Sequence, residues 1–294
     1  MKKLNYNFNN KVVLITGSSQ GLGFEIAKRY LMLGANLIIC SRNYKKVKKA
    51  HKTLDSIKKK NQKIISFSTD VSKNKSVYKL IKSTLKKFKK IDILINNAGV
   101  LGPKGNIENI NWRKWVKTIE INLLGSVLLC KNIIPHFKKR NKGKIIQISG
   151  GGATSPFPMF SSYATSKAAI VRFIENLSEE NNKYNIDINA VSPGIMNTNM
   201  LDQILKTKKI LIGNKTYKKF LLAKKNDENN INKTCELILF LGSNHSDGLS
   251  GKLISAKWDN WKNWIKRKKF LKKSDVYTIR RIVGRDRGLK WGDK

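Results

Sequence analysis

Tyr163 and Lys167 stand four residues apart in the run Ser161-Ser162-Tyr163-Ala164-Thr165-Ser166-Lys167, a stretch that reads as helix. At that spacing the two side chains share one face. A phenol with a reference pKa of ~10 is a poor acid–base group at neutral pH, but a nearby ammonium favours the phenolate and brings proton exchange within reach. A second feature opens the chain. Val12-Val13-Leu14-Ile15 is followed by Thr16-Gly17-Ser18-Ser19-Gln20-Gly21-Leu22-Gly23 and then by a helical pattern from Phe24 to Leu33. In such a strand, turn and helix, glycines allow a sharp turn and a close approach to a pyrophosphate, whose charge the free amides and the positive end of the helix bind. The spacing TGxxxGxG differs from the GxGxxG fingerprint, and a glycine turn between strand and helix also occurs for purely structural reasons.

The elements that must position these groups alternate along the chain without a linker. Candidate strands are 12–16, 36–40, 63–67, 91–95, 144–148, 186–190 and 251–255, short runs of Ile, Leu and Val of the kind buried on both faces. Helical patterns lie between them. This alternation predicts parallel strands joined by right-handed crossovers, with a ligand in the crevice at their carboxyl ends, where the glycine turn and the other markers fall.

Composition bounds the function. At 294 residues and 40% hydrophobic content the chain suffices for one large α/β domain. No apolar run approaches the ~20 residues needed to span a bilayer and MKKLNYNFNN lacks the apolar core of a signal peptide, so no membrane span and a cytoplasmic location are expected. Cys40, Cys130 and Cys235 lie far apart in apolar segments and read as buried thiols, with no metal site. The 60 Lys+Arg against 19 Asp+Glu give a formal charge of +41. Such charge suits nucleic acid or an anionic membrane surface. The lysines are nevertheless spread over nearly every helix, no nucleic-acid motif accompanies them, and with so much Asn and Ile they read as compositional bias at exposed positions. No specific nucleic-acid partner is expected.

Further markers follow in order: Asp70-Val71 after a strand, Asn96-Asn97-Ala98-Gly99 after another, Asn122 within a helix, and Ser192-Pro193-Gly194 running on to Thr198. Across roughly residues 8 to 256 the chain thereby resembles the classical short-chain dehydrogenase/reductase family. The resemblance implies a Rossmann-type doubly wound parallel seven-stranded sheet with helices on both faces, in a catalytic domain over 1–256. It implies a nicotinamide cofactor and hydride transfer to or from a carbonyl or secondary alcohol. It also implies a homodimer or homotetramer.

By the same resemblance Tyr163 is the general acid in reduction and base in oxidation. Lys167 binds the nicotinamide ribose and stabilises the phenolate, and Asn122 holds a water linking Lys167 to solvent. Gly17, Ser18, Ser19, Gln20, Gly21, Leu22 and Gly23 form the pyrophosphate turn. Asp70 receives the adenine amino group beside Val71, while Asn97, Ala98 and Gly99 line the cofactor. Pro193, Gly194, Ile195 and Thr198 meet the nicotinamide carboxamide. After the second strand the chain reads Cys40-Ser41-Arg42-Asn43; with Arg42 and the Ser18 and Ser41 hydroxyls in place of a carboxylate, NADP is expected over NAD.

One position departs from the family pattern. The serine that binds the substrate oxygen usually lies thirteen residues before the tyrosine, which here is Gly150, with Ser149 one residue earlier. In the flexible loop Ser149-Gly150-Gly151-Gly152-Ala153-Thr154-Ser155-Pro156, Ser149 is favoured for that role over Ser155 or a backbone amide.

The substrate end is the least legible. A lid is expected over roughly 199–232, with Met200, Leu201, Leu205, Ile210, Leu211, Ile212 and Phe220 among lysines. A C-terminal extension over 257–294 carries Trp258, Trp261, Trp264 and Trp291 with Arg267, Arg280, Arg281, Arg285 and Arg287. Either Tyr277 to Trp291 folds over an active site, its own or a neighbour's, and contacts an anionic substrate such as a nucleotide-linked sugar or sugar acid, or the tail packs on the core or a partner subunit with its arginines paired to Asp275, Asp286 and main-chain carbonyls. Two functions therefore stand: an oxidoreductase, and a non-catalytic polyanion- or nucleotide-binding protein on the same scaffold.

Overall fold

The computed structural model describes residues 4–225, 230–289 and 291. Its sheet has seven strands: β1 (Val12–Thr16), β2 (Asn36–Ser41), β3 (Ile64–Ser68), β4 (Ile93–Asn96), β5 (Gly143–Ile148), β6 (Ile186–Ser192) and β7 (Leu253–Ser255). Their spatial order is β3-β2-β1-β4-β5-β6-β7, and every pairing is parallel. The order reverses between β1 and β4, which opens a crevice at the carboxyl ends of these strands. The doubly wound fold is therefore the one expected. β4 begins two residues later than its apolar run, because Ile91 donates to His136 Nε2 and Val12 donates to the Asp92 carboxylate (2.8 Å) instead of continuing the ladder.

Helices cover both faces. They are α1 (Gly21–Met32), α2 (Tyr44–Asp55), α3 (Asn74–Phe88), α4 (Trp112–Ile119), α5 (Gly125–Arg140), α6 (Ser161–Glu180), α7 (Asn199–Leu205), α8 (Asn214–Lys225), α9 (Asn230–Gly242) and α10 (Lys268–Lys273). Strand alternation sorts the core into two layers. Val13, Ile15, Leu37 and Ile39 pack with Ile26 and Tyr30 of α1 and Ile238 and Phe240 of α9. Val12, Leu14, Ile38 and Cys40 face Leu80 of α3, Ile133 of α5 and Val171 of α6. α4 and α5 run together as one 29-residue helix, Trp112–Arg140, joined by a single π-helical turn at Glu120–Leu124. By length and composition that helix could cross a membrane, but Ile121, Leu129, Ile133 and Phe137 are buried against the sheet.

The C-terminal extension joins this body. Trp261, Trp264 and Leu271 are buried in the α1–α9 layer, Trp261 lies against Phe240 (5.2 Å between ring centres), and Trp264 against Tyr277 (4.2 Å). The main chain of Tyr277 accepts from Leu253 on β7 at 2.8 Å, and Ile279 donates to Glu175 of α6 at 2.7 Å. An edge strand exposes unpaired main-chain groups, and here the tail takes up one of them.

Candidate functional site

The glycine turn is built by close contacts. Gly17 lies in the left-handed region (φ +63°) against Ala98, where a Cβ would stand 2.9 Å from Ala98 Cα. At Gly23 a Cβ would stand 2.5 Å from the Gly17 carbonyl oxygen, so the first turn of α1 packs directly on the loop. Asn97 fixes the other side: its Nδ2 donates to the carbonyls of Thr16 (2.9 Å) and Gly17 (3.2 Å). The opening of α1 thus faces a cavity of about 1260 Å³ lined by Gly17, Ser19, Gln20, Gly21, Leu22 and Gly23.

Ser18 differs from expectation. It is fully buried, its hydroxyl donates to Ile15 O (2.9 Å) and accepts from Cys40 N (3.0 Å), and it thereby ties β1 to β2. That hydroxyl is taken up inside the protein and does not reach a ribose phosphate. Ser41 and Arg42 do line the cavity, as do Thr69 and Val71. Asp70 lies between those last two, its carboxylate accepting from Ser72 N (3.0 Å) and Ser72 Oγ (2.7 Å). Burial pushes its pKa up, but the Ser72 hydrogen bonds with Lys117 and Arg42 nearby outweigh this and hold it below the usual carboxylate value. Sequence reading missed Lys46, one turn into α2, whose Nζ donates to Gln20 beside the glycine turn (3.3 Å).

Tyr163 and Lys167 stand on the inner face of α6, and both line the same cavity with Asn97, Ala98 and Gly99. Lys167 Nζ donates to the Ile148 carbonyl at the end of β5 (2.9 Å) and lies 5.5 Å from the centre of the Tyr163 ring. The ammonium does not lower the phenol in this arrangement. Burial dominates, pushing Tyr163 up to about 12 and Lys167 down to about 8. The tyrosine is therefore a protonated donor at neutral pH.

Asn122 sits in the π turn, a backbone irregularity frequent at functional sites. Its Oδ1 accepts from Val100 N (2.8 Å), while Nδ2 donates to Val100 O (2.9 Å) and Ser166 Oγ (3.0 Å). It locks the segment after β4 onto α6 between Tyr163 and Lys167. Gly99 lies beside it: a Cβ there would be 3.3 Å from Asn122 Oδ1 and 3.8 Å from Lys167 Nζ.

Ser149 lines the cavity, but its hydroxyl makes no hydrogen bond to the tyrosine. Ser149 Oγ is buried and has no hydrogen-bond partner, while Ser149 N continues the β5–β6 ladder to Val191 O (2.8 Å). Successive residues of an extended strand face opposite ways, and the residue facing the tyrosine is Gly150, where a Cβ would stand 2.3 Å from Tyr163 Oη. Thr154 and Ser155 line the cavity further out.

Much of the remaining wall comes from the segment after β6. Pro193, Gly194, Ile195 and Thr198 line the cavity, with Thr198 facing Gly21 across it (3.8 Å from a Cβ there). Asn230 Nδ2 holds Ile195 O (2.7 Å) and Thr234 Oγ1 holds Pro193 O (3.2 Å). Leu201, Ile204, Ile212 and Phe220 form an apolar cluster around Tyr163 with Phe160, whereas Ile210 is 87% exposed. Phe157 joins them, stacked on Phe160 (4.4 Å) and edge-on to Tyr163 (6.4 Å); this aromatic group was not foreseen. Lys215, Lys219, Lys257, Trp258 and Asp259 complete the rim. Among the described residues the arginine-bearing tail forms no part of this chain's own cavity, and Arg280 pairs with Asp275 (3.0 Å) and Asp286 (2.9 Å).

Known proteins fit this geometry. The short chain dehydrogenase family profile matches residues 11–209. The chain is 33% identical over 190 residues to dehydrogenase/reductase SDR family member 4 of Bos taurus, covering 65% of this chain and 67% of that protein. It is 37% identical over 199 residues to 11-beta-hydroxysteroid dehydrogenase-like 3 of Arabidopsis thaliana, covering 67% and 63% respectively. Among solved structures, levodione reductase superposes with a TM-score of 0.77 at 23% identity, over 87% of this chain and 98% of that one. L-sorbose reductase from Gluconobacter frateurii, solved with NADPH and L-sorbose, gives 0.74 at 26% identity over 86% and 97%. Xylitol dehydrogenase, solved with NAD+, gives 0.74 at 24% over 84% and 98%. With the glycine turn, Tyr163 and Lys167 lining one cavity of this fold and Asn122 bonded behind them, the chain belongs to the short-chain dehydrogenase/reductase family and is an NAD(P)-dependent oxidoreductase.

Proposed function

We propose that this protein is an NADPH-dependent reductase of a ketone or aldehyde, with Tyr163 as proton donor. The observation that carries this reading is that Tyr163 shares one cavity with the glycine turn and with Arg42. Bound there, the nicotinamide group would supply the hydride. The residues present suit it: the amides opening α1 and the left-handed Gly17 accommodate a pyrophosphate, and the wall after β2 offers the Arg42 guanidinium with no carboxylate to repel a 2′-phosphate.

Each residue of this chain then has a task. Lys167 reaches the cavity from α6, where its amine can hydrogen-bond ribose hydroxyls and, once protonated, carry positive charge beside the phenol. Asn122 is a positioning residue that fixes Gly99, Val100 and α6 in one register. Tyr163 Oη meets the carbonyl oxygen, and its proton passes to that oxygen as the carbon receives the hydride. Phe157, Phe160 and Phe220 keep water from the tyrosine.

Support for a homodimer or homotetramer comes from the outer surface of the α4–α5 helix, where Trp112 is stacked on Trp115 yet exposed, as is Leu124. Reduction of a panel of ketones and aldehydes followed by NADPH absorbance tests the catalytic reading. The wild type is expected to turn over at least one of them, and Tyr163→Phe to slow it by roughly 10²–10⁴-fold with NADPH affinity unchanged. An equally active Tyr163→Phe would remove the tyrosine from the mechanism.

A further inference from the structure

The donor facing the substrate oxygen opposite Tyr163 can be assigned from the loop after β5. A carbonyl oxygen that gathers charge as the hydride arrives is stabilised by fixed donors, and one such donor is worth roughly 10²–10³ in rate. Tyr163 Oη is one. No side-chain hydroxyl pairs with it: Ser149 Oγ is buried and unpartnered, and a Cβ at Gly150 would stand 2.3 Å from Oη.

Three main-chain N–H groups are present instead. Gly150, Gly151 and Gly152 all line the cavity, and within the described residues none of their amides donates a main-chain hydrogen bond. The loop is nonetheless fixed. Ala153 donates to the Gly150 carbonyl (3.4 Å), Gly152 has φ +86°, and a Cβ at Gly152 would stand 2.6 Å from Ala164 Cβ, so the turn is pressed onto α6 one residue from Tyr163. Phe157 closes it from outside: a Cβ on Gly151 would lie 3.8 Å from that ring.

Resting on the reductase reading above, we infer that the main-chain N–H of Gly151 donates the second hydrogen bond to the substrate carbonyl oxygen, in place of a side-chain hydroxyl. The glycine at 150 is then required, because the tyrosine hydroxyl occupies the space in which a side chain there would begin.

Gly151 permits a clean test. Its side-chain direction is open to ordinary contact, so Gly151→Ala keeps the N–H and Gly151→Pro deletes it, and the preceding Gly150 tolerates the restriction that proline imposes. Both variants are assayed with NADPH and 9,10-phenanthrenequinone, a reactive vicinal diketone, alongside Ser149→Ala and Gly150→Ser. NADPH affinity is measured by nicotinamide fluorescence in every case.

The expected result is a kcat for Gly151→Pro at least roughly tenfold below that of Gly151→Ala, and a kcat for Ser149→Ala within about threefold of wild type, with NADPH affinity held. Gly150→Ser is expected to be slower than wild type. Equal kcat in Gly151→Pro and Gly151→Ala, a collapse in Ser149→Ala, or a faster Gly150→Ser would overturn the assignment while leaving the reductase reading intact. A wild type that binds NADPH but reduces neither this diketone nor any carbonyl of the panel would overturn both.

Discussion

Lys167 shows how one buried side chain serves function against stability. Its amine is held at about 8 by burial among α6, β5 and the Gly99 segment, against 10.5 in the unfolded chain. Below about pH 8 both states carry the charge and the folded protein bears the whole penalty, on the order of 3 kcal/mol. As pH rises from there to 10.5 the unfolded chain loses its proton too, and the penalty fades. Lys167→Met is therefore expected to raise the thermal midpoint of the cofactor-free protein at pH 7, with a gain that shrinks steadily towards pH 10. A gain independent of pH would show that the lysine's burial is not its source. At this scale much of the site was legible, because Tyr163, Lys167, Asn122 and the glycines are recognisable by type and spacing. What escaped was the direction in which side chains point. Ser18 and Ser149 each carry a hydroxyl at a plausible position, yet one is bonded to β1 and β2 and the other is buried without a partner.

Among the elements, the π turn and the C-terminal extension position the rest. The turn at Glu120–Leu124 lets one long helix both pack Ile133 and Phe137 on the sheet and aim Asn122 at α6. The extension was legible as tryptophans and arginines, which suggested ligand contacts. Its anchoring runs instead through the burial of Trp261 and Trp264 and through the main-chain groups of Tyr277 and Ile279, which bond Leu253 N and the Glu175 carboxylate. Among its described residues only the first, Lys257 to Asp259, reach the cavity. The boundary expected at 256/257 therefore falls within the cavity wall. Trp264 is the point where the extension grips the core, and Trp264→Ala is expected to cost about 3–5 kcal/mol in chemical denaturation. The same variant should expose the chain after residue 267 to limited proteolysis, because Tyr277 loses its stacking partner. Unchanged stability would mean that the tail merely rests on the surface.

Over the whole molecule, the parallel sheet was legible in the alternation of short apolar runs with helical ones, whereas its strand order and the two core layers are seen only in the structure. The charge is carried mostly outward: among the cations of the described residues only Lys144, paired with Asp187 (2.7 Å) and Asp247 (2.8 Å), Lys167 and Lys252 are buried. A surface of this kind attracts any polyanion, nicotinamide dinucleotides included, but such attraction is screened by salt whereas a partly buried pocket is screened much less. Adding about 0.5 M salt should accordingly release heparin or DNA while leaving a cavity-bound nucleotide in place.

That difference sets the most direct measurement, a fluorescence titration of the protein with NADPH and with NADH at about 0.5 M salt, repeated with Arg42→Asp. The predicted result is saturable one-to-one binding, tighter for NADPH than for NADH in the wild type, with the preference lost or reversed in the variant. Failure of both nucleotides to bind saturably at that salt would contradict the account, because the glycine turn would then be a structural joint only and the cavity would hold no nicotinamide cofactor.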